Sequence, residues 1–176
     1  PLMRGSHVSK TIEEIIKEAE TLVQRGVKEI MLIAQELTYY GLDIYKKRML
    51  ADLLHRLADI RGLEWIRLHY AYPSRFPLEI LDVMKERENI CNYLDIPLQH
   101  ASDSMLKAMK RQITRTEIEE LLAVIREKVP GICLRTTLIA GFPGETSDDI
   151  EELKTFLQQQ RFDRVGVFTY SHEEGT

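Results

Sequence analysis

Between residues 11 and 25 the apolar positions Ile12, Ile15, Ile16, Ala19, Leu22 and Val23 recur at three- and four-residue spacing, one face of a helix. Thr11 and Glu14 form a capping box at its start, and Gly26 supplies its stop. The short apolar run 27–34 predicts a buried strand. Helical spacing returns over 50–60 and ends at Gly62, and 65–70 is again strand-like. Pro77 opens a helix reaching about residue 85, 93–96 is a short strand, and 103–109 is helical. Thr116 with Glu119 predicts the cap of a helix running to 128. A strand over 132–140, a helix over 148–160 and a strand over 164–169 complete the pattern. Strands alternating with helices predict an α/β fold with a parallel sheet and right-handed crossovers, and no internal repeat suggests a solenoid.

The fourth of these strands runs into Gly141-Phe142-Pro143-Gly144-Glu145-Thr146. Two glycines remove Cβ from the turn, so main-chain N–H groups can come close to a bound molecule, and Pro143 stiffens the path. Thr146 and Asp149 cap the next helix, whose positive end faces the same loop. The glycines alone also fit a plain strand-to-helix turn. In parallel α/β folds ligands sit at the carboxyl ends of the strands. Those positions here hold Gln35, Glu36, Thr38, Tyr39 and Tyr40; His69, Tyr70, Tyr72 and Pro73; Pro97, Gln99, His100 and Ser102; and Tyr170, Ser171, His172 and Glu173. His69 and His100 read as hydrogen-bonded structural histidines rather than ligands. Arg135 enters an apolar strand, where a guanidinium requires a carboxylate from Glu, Asp or a ligand.

The chain has 176 residues, 44% hydrophobic and 30% charged, enough for one sizeable core, and it is read as one domain. Its formal charge is −4, from 24 basic and 28 acidic residues, so the segment shows no electrostatic footprint for nucleic acid. No apolar run approaches the roughly 20 residues of a membrane span and no secretory signal is present, so the expected compartment is the cytoplasm. Cys91 and Cys133 match no metal motif and read as two buried thiols. Pro1 and the ending after a strand-like run lead us to expect a fragment of a longer protein.

Asp95-Ile96-Pro97-Leu98-Gln99-His100-Ala101-Ser102-Asp103, with Leu106, Met109, Lys110 and Arg111, the run from Leu134-Arg135 to Thr146, and Tyr170-Ser171-His172-Glu173-Glu174-Gly175-Thr176 resemble the radical S-adenosylmethionine methylthiotransferases along essentially the whole chain. Ile33-Ala34-Gln35-Glu36-Leu37-Thr38-Tyr39-Tyr40-Gly41-Leu42-Asp43 is similar to the branch that methylthiolates an aspartate of ribosomal protein S12, with the branch acting on tRNA adenosine as the alternative.

The resemblance implies a six-stranded partial (βα)6 TIM-like barrel whose first strand is absent from this chain. It implies that S-adenosylmethionine is reduced by a [4Fe-4S] cluster on a Cys-x3-Cys-x2-Cys run. Those cysteines are expected upstream of Pro1, because Pro1-Leu2-Met3-Arg4-Gly5 matches the stretch that follows them. A second cluster domain and a carboxy-terminal substrate domain are also implied outside the segment, so the fragment alone is expected to be inactive. The resemblance leaves the sulfur and electron donors open. It assigns Gln35 and Glu36 to the methionyl amine, Gln99 and Ser102 to the ribose or carboxylate, and Ile139, Gly141 and Phe142 to the adenine, with Arg135 as carboxylate partner. Tyr39, Tyr40, Tyr72 and Tyr170 are candidates for the substrate entrance. Two other readings stand beside it. One is an acid–base barrel enzyme binding a phosphate or sugar at 141–145, with Glu36, His69 or His100 in catalysis. The other is a binding and scaffold segment without activity.

Overall fold

The computed structural model describes residues 8–172. The Pro1-Leu2-Met3-Arg4-Gly5 match and the terminal Glu173-Glu174-Gly175-Thr176 lie outside the described residues. Five strands, β1 (Glu29–Leu32), β2 (Trp65–Leu68), β3 (Ile90–Asp95), β4 (Cys133–Ala140) and β5 (Arg164–Thr169), stand in sequence order in one sheet. The β1–β2, β3–β4 and β4–β5 pairs are parallel, as the alternation of periods predicts. The chain packs as two compact units, one comprising residues up to Ala71 with Pro77–Asn92, the other Tyr72–Phe76 with residues from Tyr93 onward.

In the first unit, α1 (Ile12–Gln24) forms behind the expected capping box: Thr11 Oγ1 accepts from Glu14 N at 3.2 Å and Glu14 Oε2 accepts from Thr11 N at 2.7 Å. Leu50, Leu53, Leu54 and Leu57 make one buried stripe on α3 (Leu50–Ala58), each worth roughly 1.5–3 kcal/mol of burial. That stripe packs on α1 and on α4 (Glu79–Glu86). Sequence periodicity did not reveal the 3-10 helix Leu37–Tyr39 or the single-turn α2 (Leu42–Tyr45), since one turn is too short to display a period. Tertiary contacts hold both: Tyr40 Oη donates to Lys10 O at 3.0 Å, and Tyr45 Oη accepts from Ile12 N at 3.0 Å. Gly41, at φ +90°, joins them where a Cβ would stand 2.8 Å from Met49 Cβ.

In the second unit, Leu134, Thr136 and Leu138 of β4 are buried, while Cys133, Arg135, Thr137 and Ile139 on the other face are half-buried. Helices α5 (Asp103–Ala108), α6 (Arg115–Lys128) and α7 (Ser147–Gln160) complete it. The cap of α6 differs from expectation. Thr114 and Glu117 form the box, with Glu117 Oε2 accepting from Thr114 N at 2.7 Å, while Glu119 instead accepts from Arg115 Nε at 2.8 Å. Two Thr-x-x-Glu pairs overlap here at identical spacing. Only the earlier one places apolar residues, Ile113 and Ile118, at the positions of a hydrophobic staple, and both are buried. Thr114→Ala is therefore expected to destabilise the chain by about 1 kcal/mol. Thr116→Ala should stay within about 0.5 kcal/mol. Urea unfolding of the two variants checks this, and equal losses would disprove the assignment.

Candidate functional site

The carboxyl end of β3 is shaped by Pro97, which has no N–H for the ladder. Buried Thr136 fills the break: its Oγ1 donates to Ile96 O at 2.9 Å and accepts from Leu98 N at 3.3 Å. Gln99 then rejoins β4, donating its N–H to Thr137 O at 2.9 Å and accepting from Ile139 N at 2.8 Å. It does so at φ +74°, the left-handed region that non-glycine residues rarely occupy and that clusters at ligand sites. Its half-buried side-chain amide makes no hydrogen bond among the described residues.

The next residue, His100, is fully buried. Its Nδ1 accepts from Ser102 N at 2.9 Å, which puts the ring proton on Nε2, 3.2 Å from Glu145 Oε1. His100 is thus a hydrogen-bonded structural histidine, as the sequence suggested. Glu145 was not singled out by sequence. Its second oxygen accepts from Gly141 N at 2.7 Å, and its own N–H donates to Phe142 O at 2.9 Å, so its carboxylate folds back over the glycine turn. The i, i+4 spacing of Gly141 and Glu145 was the available signal.

The Ser102 hydroxyl, assigned by the resemblance to the ribose or carboxylate, has its partners inside the chain. Its Oγ donates to Asp149 Oδ1 at 2.5 Å, and Ser104 Oγ donates to the same oxygen at 2.7 Å. Asp149 Oδ2 meanwhile accepts from Thr146 N and Oγ1 at 2.9 and 2.7 Å. The Ser102, Thr146 and Ser104 hydrogen bonds hold the Asp149 carboxyl well below the usual carboxylate range. A depressed native value gives stability that is complete above the unfolded value of about 3.9 and is lost as pH falls below it. The melting difference between parent and Asp149→Asn is accordingly expected to be full near neutral pH and to shrink in acid. A difference that grows on acidification would refute this.

Arg135 finds its carboxylate inside the chain: Nη1 lies 2.7 Å from Oδ1 of buried Asp95, one strand away. Phe142 and Tyr170 stack edge to face at 5.2 Å, placing the glycine turn beside the end of β5, where Tyr170 N donates to Ala140 O. Tyr72 is engaged by the Arg111 guanidinium, 4.3 Å from its ring centre. In the first unit, Gln35 is exposed, and Glu36 caps the 3-10 turn, its Oε1 accepting from Thr38 N at 3.0 Å and Thr38 Oγ1 at 2.5 Å. Leu37 N donates to Tyr70 O at 3.2 Å, joining the ends of β1 and β2.

These arrangements decide what the rim can hold. A phosphate at the glycine turn would meet the Glu145 carboxylate already on the Gly141 N–H, with Asp148 and Asp149 in the first turn of α7. The phosphate reading therefore lacks its anion site. An uncharged planar group fits better: the Gly141 turn is open, with no atom within 4 Å of a Cβ built there, and the Gln99 amide stands ready to donate and accept. The described residues do not fit an iron–sulfur cluster. Cys91 and Cys133 are free thiols, burial raises the Cys91 pKa, and among the described residues no group of three or more His, Cys, Asp or Glu is disposed for metal binding. No described helix is long and apolar enough to cross a membrane.

A parallel sheet with helices between its strands, and a glycine turn and polar loops at its strand ends, defines an α/β protein of the class that places ligands at those ends. Residues 2–157 match the model of the radical SAM superfamily, and the chain belongs to that superfamily. It is similar to ribosomal protein uS12 methylthiotransferase RimO of Cytophaga hutchinsonii and of Flavobacterium johnsoniae, each 61% identical over 176 residues, covering 100% of this chain and 40% of the relative. The corresponding protein of Bacteroides thetaiotaomicron is 57% identical with the same coverage. The chain thus spans about two fifths of the length of these relatives. Solved structures share the fold: the radical S-adenosylmethionine methyltransferase TsrM from Kitasatospora setae, at TM-score 0.69 and 20% identity, covers 91% of this chain and 31% of its own. Methylornithine synthase PylB, at TM-score 0.67 and 17% identity, covers 98% of this chain and 48% of its own.

Proposed function

We propose that this chain is the central part of a radical S-adenosylmethionine methylthiotransferase that places a methylthio group on the β carbon of an aspartate in ribosomal protein S12. The observation that carries the reading is the 61% identity over every residue to the uS12 methylthiotransferase of Cytophaga hutchinsonii. That observation, with the formal charge of −4, favours a protein substrate over tRNA. On this reading the whole segment is one radical-SAM domain. A sixth strand adds beside β1, where Ile15, Ala19, Leu22, Ile30 and Leu32 border an apolar groove of about 400 Å³.

Neither Cys91 nor Cys133 is disposed to hold a [4Fe-4S] cluster, which when bound would supply the electron for reductive cleavage of S-adenosylmethionine. The residues of this chain bind and orient that cofactor. Gln99 offers its amide to the ribose or carboxylate, the Ile139, Gly141 and Phe142 backbone receives the adenine, and Gln35 faces the methionyl amine. Glu36 and Ser102 act through their neighbours, since Thr38 and Asp149 engage their side chains. Arg135 serves as carboxylate partner from its pair with Asp95.

The test uses the full-length protein, reconstituted anaerobically with iron and sulfide. It is mixed with S-adenosylmethionine, dithionite and, in parallel reactions, a peptide carrying the S12 aspartate or tRNA. The expected products are 5′-deoxyadenosine and a methylthiolated peptide by mass spectrometry. Absence of deoxyadenosine would sink the radical reading, and modification of tRNA instead of the peptide would sink the substrate assignment.

A further inference from the structure

Two polar bridges tie the loop after β3 to the loop after β4. One runs from Ser102 N through the His100 ring to Glu145 and on to Gly141 N, with steps of 2.9, 3.2 and 2.7 Å. The other joins Ser102 and Ser104 to Asp149 and Thr146. The centre of the first bridge is shielded from water, the His100 side chain being 0% exposed and that of Glu145 7%, while its Gly141 end is exposed. Such bonds are sensitive to chemistry. Each Glu145 oxygen faces a donor, an imidazole N–H and a backbone N–H, and only a carboxylate can accept from both. The bridge begins beside Gln99, which has a left-handed backbone, a side-chain amide unbonded among the described residues, and a main chain locked to Thr137 and Ile139 of β4.

We infer that Glu145 is a positioning residue. By joining His100 to the Gly141 N–H it makes the two loops one rigid body, and so presents the Gln99 amide and the glycine-turn backbone to the cofactor as a single preformed surface. This rests on the radical S-adenosylmethionine reading above. Preorganisation of this kind lowers the cost of ordering the loops on binding, so its loss appears in cofactor affinity before it appears in turnover. Glutamine at 145 keeps the size of the side chain but turns an N–H2 toward one of the two donors. The bridge then opens at either His100 or Gly141.

The experiment compares parent, Glu145→Gln and Asp148→Asn in the full-length, cluster-loaded enzyme. Asp148 is exposed in the first turn of α7, so its variant removes a similar charge from the same turn without touching the bridge. Three quantities are read: amide hydrogen exchange of the peptide spanning 139–146, the Kd for S-adenosylmethionine, and kcat at saturating cofactor. For Glu145→Gln the exchange should accelerate and the Kd rise, each about tenfold, with kcat held within about threefold. Asp148→Asn should move none of them beyond about twofold. Unchanged exchange or unchanged Kd in Glu145→Gln would overturn the inference, as would an equal shift in Asp148→Asn. A parent enzyme that binds no S-adenosylmethionine would instead overturn the functional reading, and the exchange measurement would still report separately on the bridge.

Discussion

Arg135→Met is expected to destabilise the chain by about 3 kcal/mol, because it removes the cationic partner of the buried Asp95 carboxylate. The Asp95 side chain is 2% exposed and that of Arg135 34% exposed, so the loss comes from the buried carboxylate that loses its cationic partner rather than from the partly solvated guanidinium. The same argument makes the double variant Arg135→Met/Asp95→Asn more stable than Arg135→Met alone, since a neutral amide costs less to bury than a carboxylate. Thermal melting reads both: at roughly 2–4 °C per kcal/mol for a chain of this size, the single variant should fall by roughly 6–12 °C and the double should regain a good part of that. A double variant as unstable as the single would show that the pair is not what holds Asp95. The result also bears on function, because a guanidinium committed to Asp95 reaches a ligand only as part of the pair.

Phe156→Ala should be at least as costly, about 3–5 kcal/mol. Phe156 is completely buried on the inner side of α7, with the Phe162 ring centre 6.0 Å away and the Arg115 guanidinium 5.6 Å from its own ring centre. Truncation leaves a cavity and removes the surface on which Arg115 lies while it reaches Glu119, Glu152 and Gln159. The urea midpoint should drop with the slope unchanged, as for a loss of native packing rather than a change in the unfolded chain. A loss below about 1 kcal/mol would mean that α7 relaxes into the space.

Much of the architecture was legible along the chain. The capping boxes at Thr11 and Thr146, the leucine stripe of α3 and the limits of β5 appear where the periods and caps put them. These are local properties, set by side-chain spacing and by hydrogen bonds over three or four residues. The cap of α6 shows where that logic weakens. Two equivalent local signals competed, and burial of Ile113 and Ile118 chose between them.

The rim was legible as a list of residues but not as a set of contacts. Sequence alone determined the parallel α/β class, the glycine turn and the resemblance that points to S-adenosylmethionine, because each depends on residue type and order. Only the tertiary structure decided that Arg135 pairs with Asp95, that Ser102 turns to Asp149, and that Glu145 closes on Gly141 through a buried histidine. Those partners stand 40, 47, 4 and 45 residues apart, and most meet only where the parallel crossovers bring successive strand ends side by side. Hydrogen bonding there is settled by which donors and acceptors lose their water together, a property of the folded rim that no single segment carries.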